Sequence, residues 1–435
     1  MTTHDELLAR HRRVLPNWIA LNYERPIALV EGRGRHVVDA EGHRYLDFFG
    51  GILTTSIGHN VPEIVEATRA QLSRIVHTST LYLIEQQIEL AERIAGLSGI
   101  PEAKVFFTNS GTEANEAALL LATTARRSNQ VLALRNSYHG RSFAAMGVTG
   151  NRNWSASTFS PLAVSLAPSP YRYRSPYAAL PEEAFLAACV ADLRELVATG
   201  LSGDLAAVIV EPIQGVGGFI VPPQGYFAAL KEVTDELGAT FISDEVQTGW
   251  GRTGESYFGI SADGVRPDAM TFAKGLANGL PIGGVVAGAQ LMDSVSVNSI
   301  STFGGNPLVT ATALATLDYI ERHDLQGNAR ARGGELLEAL GRLFSPLDTV
   351  GEVRGKGLMA AVEFVLPGTR TPAPALAAAA LEGARERGLL IGKGGLYGNV
   401  LRIAPPLSVT AAEIAEAAGI LEGVVAGLAE PATLR

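Results

Sequence analysis

Several residue types are scarce in this sequence, and each shortage excludes something. A single cysteine, Cys189, excludes an internal disulfide framework and a multi-cysteine metal site. No run of 18 apolar residues occurs, so no segment is expected to span a bilayer. The opening MTTHDELLARHRR lacks the apolar stretch of a secretory signal, and a soluble, cytoplasmic chain is expected. Basic residues are outnumbered 35 to 44, and the net charge of −9 argues against a broad nucleic-acid footprint. Only five of the 35 basic residues are lysines: Lys104, Lys231, Lys274, Lys356 and Lys393. Chemistry that needs a side-chain amine therefore has five candidates.

What is present describes a large globular protein. The length of 435 residues suggests two or three domains. With 47% hydrophobic and 18% charged residues, the chain can bury a sizeable core. Glycine, at 48 residues, is well above its usual share and collects at the ends of apolar runs, where the backbone must turn or approach a ligand. Between about residues 104 and 290, short apolar runs alternate with helical patterns. The runs are Val105–Thr108, Val131–Leu134, Ala207–Val210, Thr240–Ser243, Ala269–Phe272 and Gly283–Ala287, with helices expected over Glu113–Arg127 and Tyr226–Leu237. Runs apolar on both faces are the pattern of buried parallel strands. The alternation predicts an α/β fold with a mostly parallel central sheet flanked by helices. Outside this block lie a hairpin over Arg35–Asp47 turning at Glu41-Gly42, then helices (Ala329–Phe344, Ala375–Arg387) and short strands (Gly357–Phe364, Val400–Ala404). These suggest a small α+β domain built from both chain ends, with divisions at 1–55, 56–318 and 319–435.

In parallel sheets, ligands collect beyond the carboxyl ends of the strands, so the residues just after each run carry the functional interest. After Val105–Phe107 comes TNSGTEANEAALLLA, where Ser110 and Glu113 have capping-box spacing and Gly111 permits close approach. The segment is either an ordinary capped helix or a phosphate cradle at a helix N-terminus. After Leu134 comes NSYHGR, either a surface loop or a ring-covering Tyr138 beside a carboxylate-binding Arg141. Glu211 ends a buried run and needs a donor or cation. Asp244 and Val246 point the same way on an extended segment. They could set a carboxylate against a heterocyclic nitrogen, or Asp244 could pair structurally with Arg252. Lys274 follows the run Met270–Ala273, where burial lowers an amine pKa enough for Schiff-base chemistry. Lys231 lies in an amphipathic helix near acids, Lys104 precedes its strand, and Lys356 and Lys393 sit in glycine-flanked turns. By elimination, Lys274 is the reactive-amine candidate. Arg402, in an apolar strand, needs an anionic partner.

A phosphate cradle, a stacking tyrosine, an acid and a strand-end lysine together describe a pyridoxal-phosphate site. The segments NSGTEANEAALLLA, YHGR, VEPIQGVGGF, DEVQTGWGRTG, TFAKGLANGLPIGG, TFGGNP, VRGKGLMA and LRIAPPL closely resemble the class III (ω-amino acid) aminotransferases, over about Leu46 to Leu407. The resemblance implies the fold type I architecture of pyridoxal-phosphate-dependent transferases. It implies that Lys274 carries the cofactor as a Schiff base and serves as general base. Ser110, Gly111 and Thr112 would bind the phosphate, and Tyr138 and Val246 would flank the ring. Asp244 would face the pyridine nitrogen and Gln247 the ring hydroxyl. Thr302 would reach the phosphate of a neighbouring subunit, implying a homodimer or higher oligomer. Ile52 would line the substrate pocket. Arg141 would hold the carboxylate of an ω-amino acid, and Arg402, neutralised between turnovers by Glu211, the α-carboxylate of glutamate or 2-oxoglutarate. Trp250 is bulkier than expected in relatives, which would narrow the pocket. The motifs are nearest to 4-aminobutyrate aminotransferase, while YLDFFGGILTTSIGH and HTSTLY read equally like the alanine–glyoxylate type. Acetylornithine and ornithine aminotransferases, an amino-acid epimerase and an amine phospho-lyase are the alternatives.

Overall fold

The computed structural model describes residues 3–156, 159–201 and 203–428. Its centre is a seven-stranded sheet. We label the strands β1 (Ala103–Thr108), β2 (Gln130–Leu134), β3 (Ala163–Ala167), β4 (Leu205–Val210), β5 (Thr240–Asp244), β6 (Ala269–Phe272) and β7 (Gly283–Gly288). The spatial order is β1-β7-β6-β5-β4-β2-β3. Every residue of β4, β5 and β6 is buried, as strands covered on both faces require. The sequence expectation of a mostly parallel sheet holds, with one exception: β7 runs antiparallel to both β1 and β6. The register pairs Gly283 with Thr108, so β7 begins where β1 ends. The parallel edge strand β3 and the following helix Glu182–Gly200 were not anticipated. AVSLA is a short, small-residue strand only partly buried, so its pattern is faint.

Segments from the two chain ends meet in a further sheet. Strands His36–Asp39 and Arg44–Asp47 make the expected hairpin, Leu29–Arg33 pairs beside His36–Asp39, and Leu389–Leu390 joins in parallel through the pairs Leu46–Leu389 and Asp47–Leu390. At the hairpin turn, Asp39 Oδ1 accepts from the amides of Glu41 and His43, while Gly42 takes the positive φ of +86°. An antiparallel sheet follows, in the order Val350–Lys356, Met359–Phe364, Val400–Ile403, Gly392–Gly394. The helix Pro307–Arg322 runs through residues 318 and 319, and Asp324 caps the helix that follows. Among the described residues, no helix is long and apolar enough to cross a membrane.

Candidate active site

The carboxyl ends of β1, β2, β4, β5 and β6, together with the start of β7, surround a cavity of about 330 Å³. It is built first from the β1 exit. Ser110 caps the helix Gly111–Arg126, its hydroxyl accepting from Glu113 N at 3.2 Å. The reciprocal arm closes one residue earlier than the capping-box spacing suggests: the Glu113 carboxylate accepts from Asn109 N at 2.7 Å. Two glycines permit close packing that a side chain would prevent. A Cβ on Gly111 would lie 2.9 Å from both methyls of Val246. One on Gly140, whose φ is +136°, would lie 2.6 Å from the Thr112 hydroxyl.

Two buried carboxylates face this cradle. Asp244 Oδ2 lies 2.8 Å from His139 Nδ1 and accepts from Asn115 Nδ2 at 2.7 Å, while Oδ1 accepts from Val246 N. Asn115 is held in turn by the Thr271 hydroxyl. The alternative pairing of Asp244 with Arg252 does not form, because Arg252 points away and donates to the carbonyl of Pro405. Glu211 accepts from Tyr138 N at 2.8 Å and from Gly215 N at 2.9 Å. Burial pushes the Glu211 carboxyl up to about 7, the nearby Asp244 adding to the rise and His139 and the two amides opposing it. Burial also raises the Tyr138 phenol.

Lys274 leaves β6 through a bend. Ala273 has φ −168° and ψ −138°, and Lys274 itself has the left-handed φ of +42°, a conformation that costs a non-glycine residue about 1 kcal/mol or more. The side chain keeps some exposure toward the cavity it lines. Protein packed around it lowers the amine pKa to about 8, with Asp244 and Glu211 opposing the drop and Arg402 adding to it. Three other lysines are held in ion pairs: Lys104 with Asp293, Lys231 with Asp235 and Lys356 with Glu255. Trp250 does not narrow the pocket. Its indole is buried against Phe258 and Phe272, and its N–H donates to the carbonyl of Ala273, directly before Lys274.

Ser110, Gly111, Thr112, Tyr138, Glu211, Asp244, Val246, Gln247 and Lys274 thus line one cavity. The remaining four expected residues stand apart from its walls. Arg402 is buried between the rings of Phe49 and Phe219, at 5.1 and 5.6 Å, and donates to the carbonyls of Gly215 and Lys393. No ion pair joins it to Glu211. The two meet only across Gly215, whose N–H serves the acid and whose carbonyl serves the arginine. Burial lowers the Arg402 pKa to about 10 despite Glu211. Arg141 is exposed, its guanidinium carbon 5.2 Å from the ring centre of Trp18. Ile52 is 46% exposed on a left-handed kink over Gly50–Leu53, and Thr54 just beyond it reaches the cavity instead. Thr302 is exposed on the loop before Gly304.

The walls also include Thr54, Asn109, Asn115, His139, Gly140, Ala273 and Gly279 to Ile282, none of them anticipated. Asn115 could have been found as the residue one helical turn after Gly111. His139 and Gly140 were visible inside the YHGR motif. Leu280 to Ile282 were hidden by taking β7 as parallel: in an antiparallel strand, the residues before the run, not after it, face the site.

A bound pyridine phosphate suits this donor set. A helix N-terminus bearing two hydroxyls meets the demands of a phosphate. Gly111 and Gly140 let Val246 and Thr112 pack closely around the cradle, and the buried oxygen Oε1 of Gln247 has no partner among the described residues. Comparison with known proteins agrees. The family model Aminotransferase class-III matches residues 19–425. An alanine–glyoxylate aminotransferase 2 homologue of Arabidopsis thaliana is 38% identical over 408 residues, covering 93% of this chain and 84% of the relative. An acetylornithine aminotransferase of Mycolicibacterium smegmatis is 39% identical over 390 residues, 89% and 91% of the two chains. Among solved structures, a PLP-bound amine transaminase from an uncultivated Pseudomonas species superposes with a TM-score of 0.87 at 34% identity, over 92% of this chain and 95% of that one. With a lysine, an acid and an anion cradle around one cavity, and with these relatives along nearly its whole length, the chain belongs to the class III aminotransferases, enzymes that depend on pyridoxal phosphate.

Proposed function

We propose that this aminotransferase moves the amino group of an ω-amino acid, 4-aminobutyrate first among the candidates, to 2-oxoglutarate, giving the semialdehyde and glutamate. The observation that carries the reading is the provision of two arginines for two carboxylates. Arg402 is buried and, among the described residues, has no acid in ion-pair contact. Arg141 is anchored at the cavity wall by its own amide, which donates to Thr112. Bound pyridoxal phosphate supplies an electron sink for the carbanion that forms when a substrate carbon loses its proton. The residues proposed to hold it are Ser110, Gly111 and Thr112 at the phosphate, Tyr138 and Val246 on the ring faces, Asp244 at the ring nitrogen, Gln247 near the hydroxyl and Lys274 at the aldehyde. His139 and Asn115 keep Asp244 aimed. Lys274 Nζ, with a pKa near 8, takes the proton from the amine-bearing carbon and can return it within one turnover. Glu211 fixes the Tyr138 backbone and the Gly215 turn under Arg402.

Assembly as a homodimer or higher oligomer with shared sites, the partner's loop arriving through Thr302, belongs to the same proposal, as does a cytoplasmic location. Phe303 beside Thr302 is 60% exposed and touches the ring of His77 at 5.0 Å, near Leu81, Tyr82 and Leu83, which are 73%, 69% and 93% exposed. So much apolar surface in neighbouring segments asks for a cover.

The relatives named for alanine–glyoxylate and acetylornithine transfer support a second reading, with those amino donors on the same site. A panel of amino donors against 2-oxoglutarate, pyruvate and glyoxylate separates the two. Turnover of 4-aminobutyrate with 2-oxoglutarate at or above that of the other pairs is expected, and preference for alanine with glyoxylate, or for acetylornithine, would replace the first reading by the second. Formation of aminated cofactor on adding donor alone distinguishes both from an epimerase or a phospho-lyase.

A further inference from the structure

Arg141 is placed to clamp a donor carboxylate, yet its side chain is turned out of the cavity. The backbone is fixed at the wall: Arg141 N donates to the Thr112 hydroxyl at 3.3 Å, and Gly140 before it has the φ of +136°. Both neighbours line the cavity, so only the side chain is free to choose a direction. Among the described residues, no acid lies within ion-pair distance of its guanidinium. The group rests instead on Trp18, whose ring is 67% exposed and belongs to the segment between the first helix, His4–Val14, and the first hairpin. A cation without an anion, held on an aromatic face beside the site, is a parked clamp.

We propose that Trp18 is a specificity-determining residue: its ring stores the Arg141 guanidinium outside the cavity, and a donor with a terminal carboxylate must draw the arginine off it. The inference rests on the donor-clamp reading of Arg141. A donor without that carboxylate finds the arginine already out of its way. Trp18 thus weakens binding of carboxylated donors by the population of the parked state. For a cation–π contact at an exposed position that is roughly two- to fivefold.

The test compares 4-aminobutyrate with butylamine, which has the same carbon chain and no carboxylate, each with 2-oxoglutarate as acceptor. Holoenzyme is assayed as wild type, Trp18→Ala, Trp18→Phe, Arg141→Ala and the double variant Trp18→Ala/Arg141→Ala. Trp18→Ala is expected to lower KM for 4-aminobutyrate about two- to fivefold, with kcat unchanged and no fall in KM for butylamine. Trp18→Phe, which keeps an aromatic face, should stay close to wild type. In the Arg141→Ala background, removing Trp18 should no longer lower the KM for 4-aminobutyrate. Equal shifts for both donors, a phenylalanine variant that behaves like alanine, or an effect that survives without Arg141 would each overturn the role of Trp18. An Arg141→Ala substitution that shifts the KM of both donors equally would instead remove the clamp reading itself, whatever Trp18 does.

Discussion

The contact between Gly111 and Val246 allows the site to be tested by a single methyl group. Gly111 opens the helix Gly111–Arg126 and does not need a positive φ. On backbone grounds alone, alanine there should be neutral or stabilising by up to about 1 kcal/mol. The added Cβ, however, would sit 2.9 Å from both Val246 methyls and 3.5 Å from its Cβ. Valine is stiff about χ1, and turning one methyl away leaves another in place, so the strain falls on the backbone of the cradle or of the loop after β5. Overpacking of this kind costs roughly 1–3 kcal/mol, which exceeds the helical gain. Gly111→Ala is therefore expected to lower the unfolding free energy by about 1–2 kcal/mol and to weaken retention of pyridoxal phosphate. Val246→Ala removes both methyls and leaves only the ordinary 3.5 Å contact. In that background Gly111→Ala should lose its penalty, giving a coupling of about 1–3 kcal/mol between the two positions. Urea unfolding of the four proteins measures the first quantity, and titration of the cofactor-stripped proteins with pyridoxal phosphate, followed by visible absorbance, measures the second. Equal penalties in both backgrounds would refute the steric reasoning. Lost stability with cofactor affinity intact would refute the placement of the cofactor over Gly111.

Other expectations use the same geometry. Lys274→Ala should abolish turnover and the lysine-linked visible band, and an active variant would end the assignment. In the cofactor-stripped protein, acylation of Lys274 by an amine-directed reagent should follow an apparent pKa near 8, against about 10.4 for an ordinary lysine, when read by peptide mass spectrometry across pH 6–11. An ordinary profile would mean that burial does not set the amine's state. Glu245 is fully buried and accepts from Ser243, Thr248, Gly259 N and Ile260 N, so Glu245→Ala should cost more than about 3 kcal/mol in urea unfolding. Trp250→Phe should remove one hydrogen bond, worth about 1 kcal/mol of stability, and leave the KM for every amino donor unchanged. A donor-dependent KM would return Trp250 to the pocket wall.

Much of the site was legible because buried parallel strands print nearly continuous apolar runs, and the first polar residues after each run must lie at the ligand-binding edge. Asp244 at the end of β5, Glu211 after β4 and Lys274 after β6 were found in this way, and all line the cavity. The scarcity of lysine then made elimination possible, and the structure accounts for three of the other four in ion pairs. Residues outside the strand-end rule were missed or misplaced. Leu280 to Ile282 precede an antiparallel strand, and Ile52 sits on a run of left-handed residues that turns it outward and brings Thr54 in.

The sequence by itself determined the fold class, the candidate for the reactive amine and the residue types around it, because these depend on residue type and on spacing along regular elements. Only the tertiary structure decided where the long side chains point and which partners they take. Trp250 at φ +65° faces the core beneath Lys274, Arg402 is held by two backbone carbonyls and not by Glu211, and Arg141 lies on Trp18, more than 120 residues away in the chain. Those directions follow from the sign of a few backbone dihedrals and from neighbours brought in from distant segments, and neither is encoded in local periodicity.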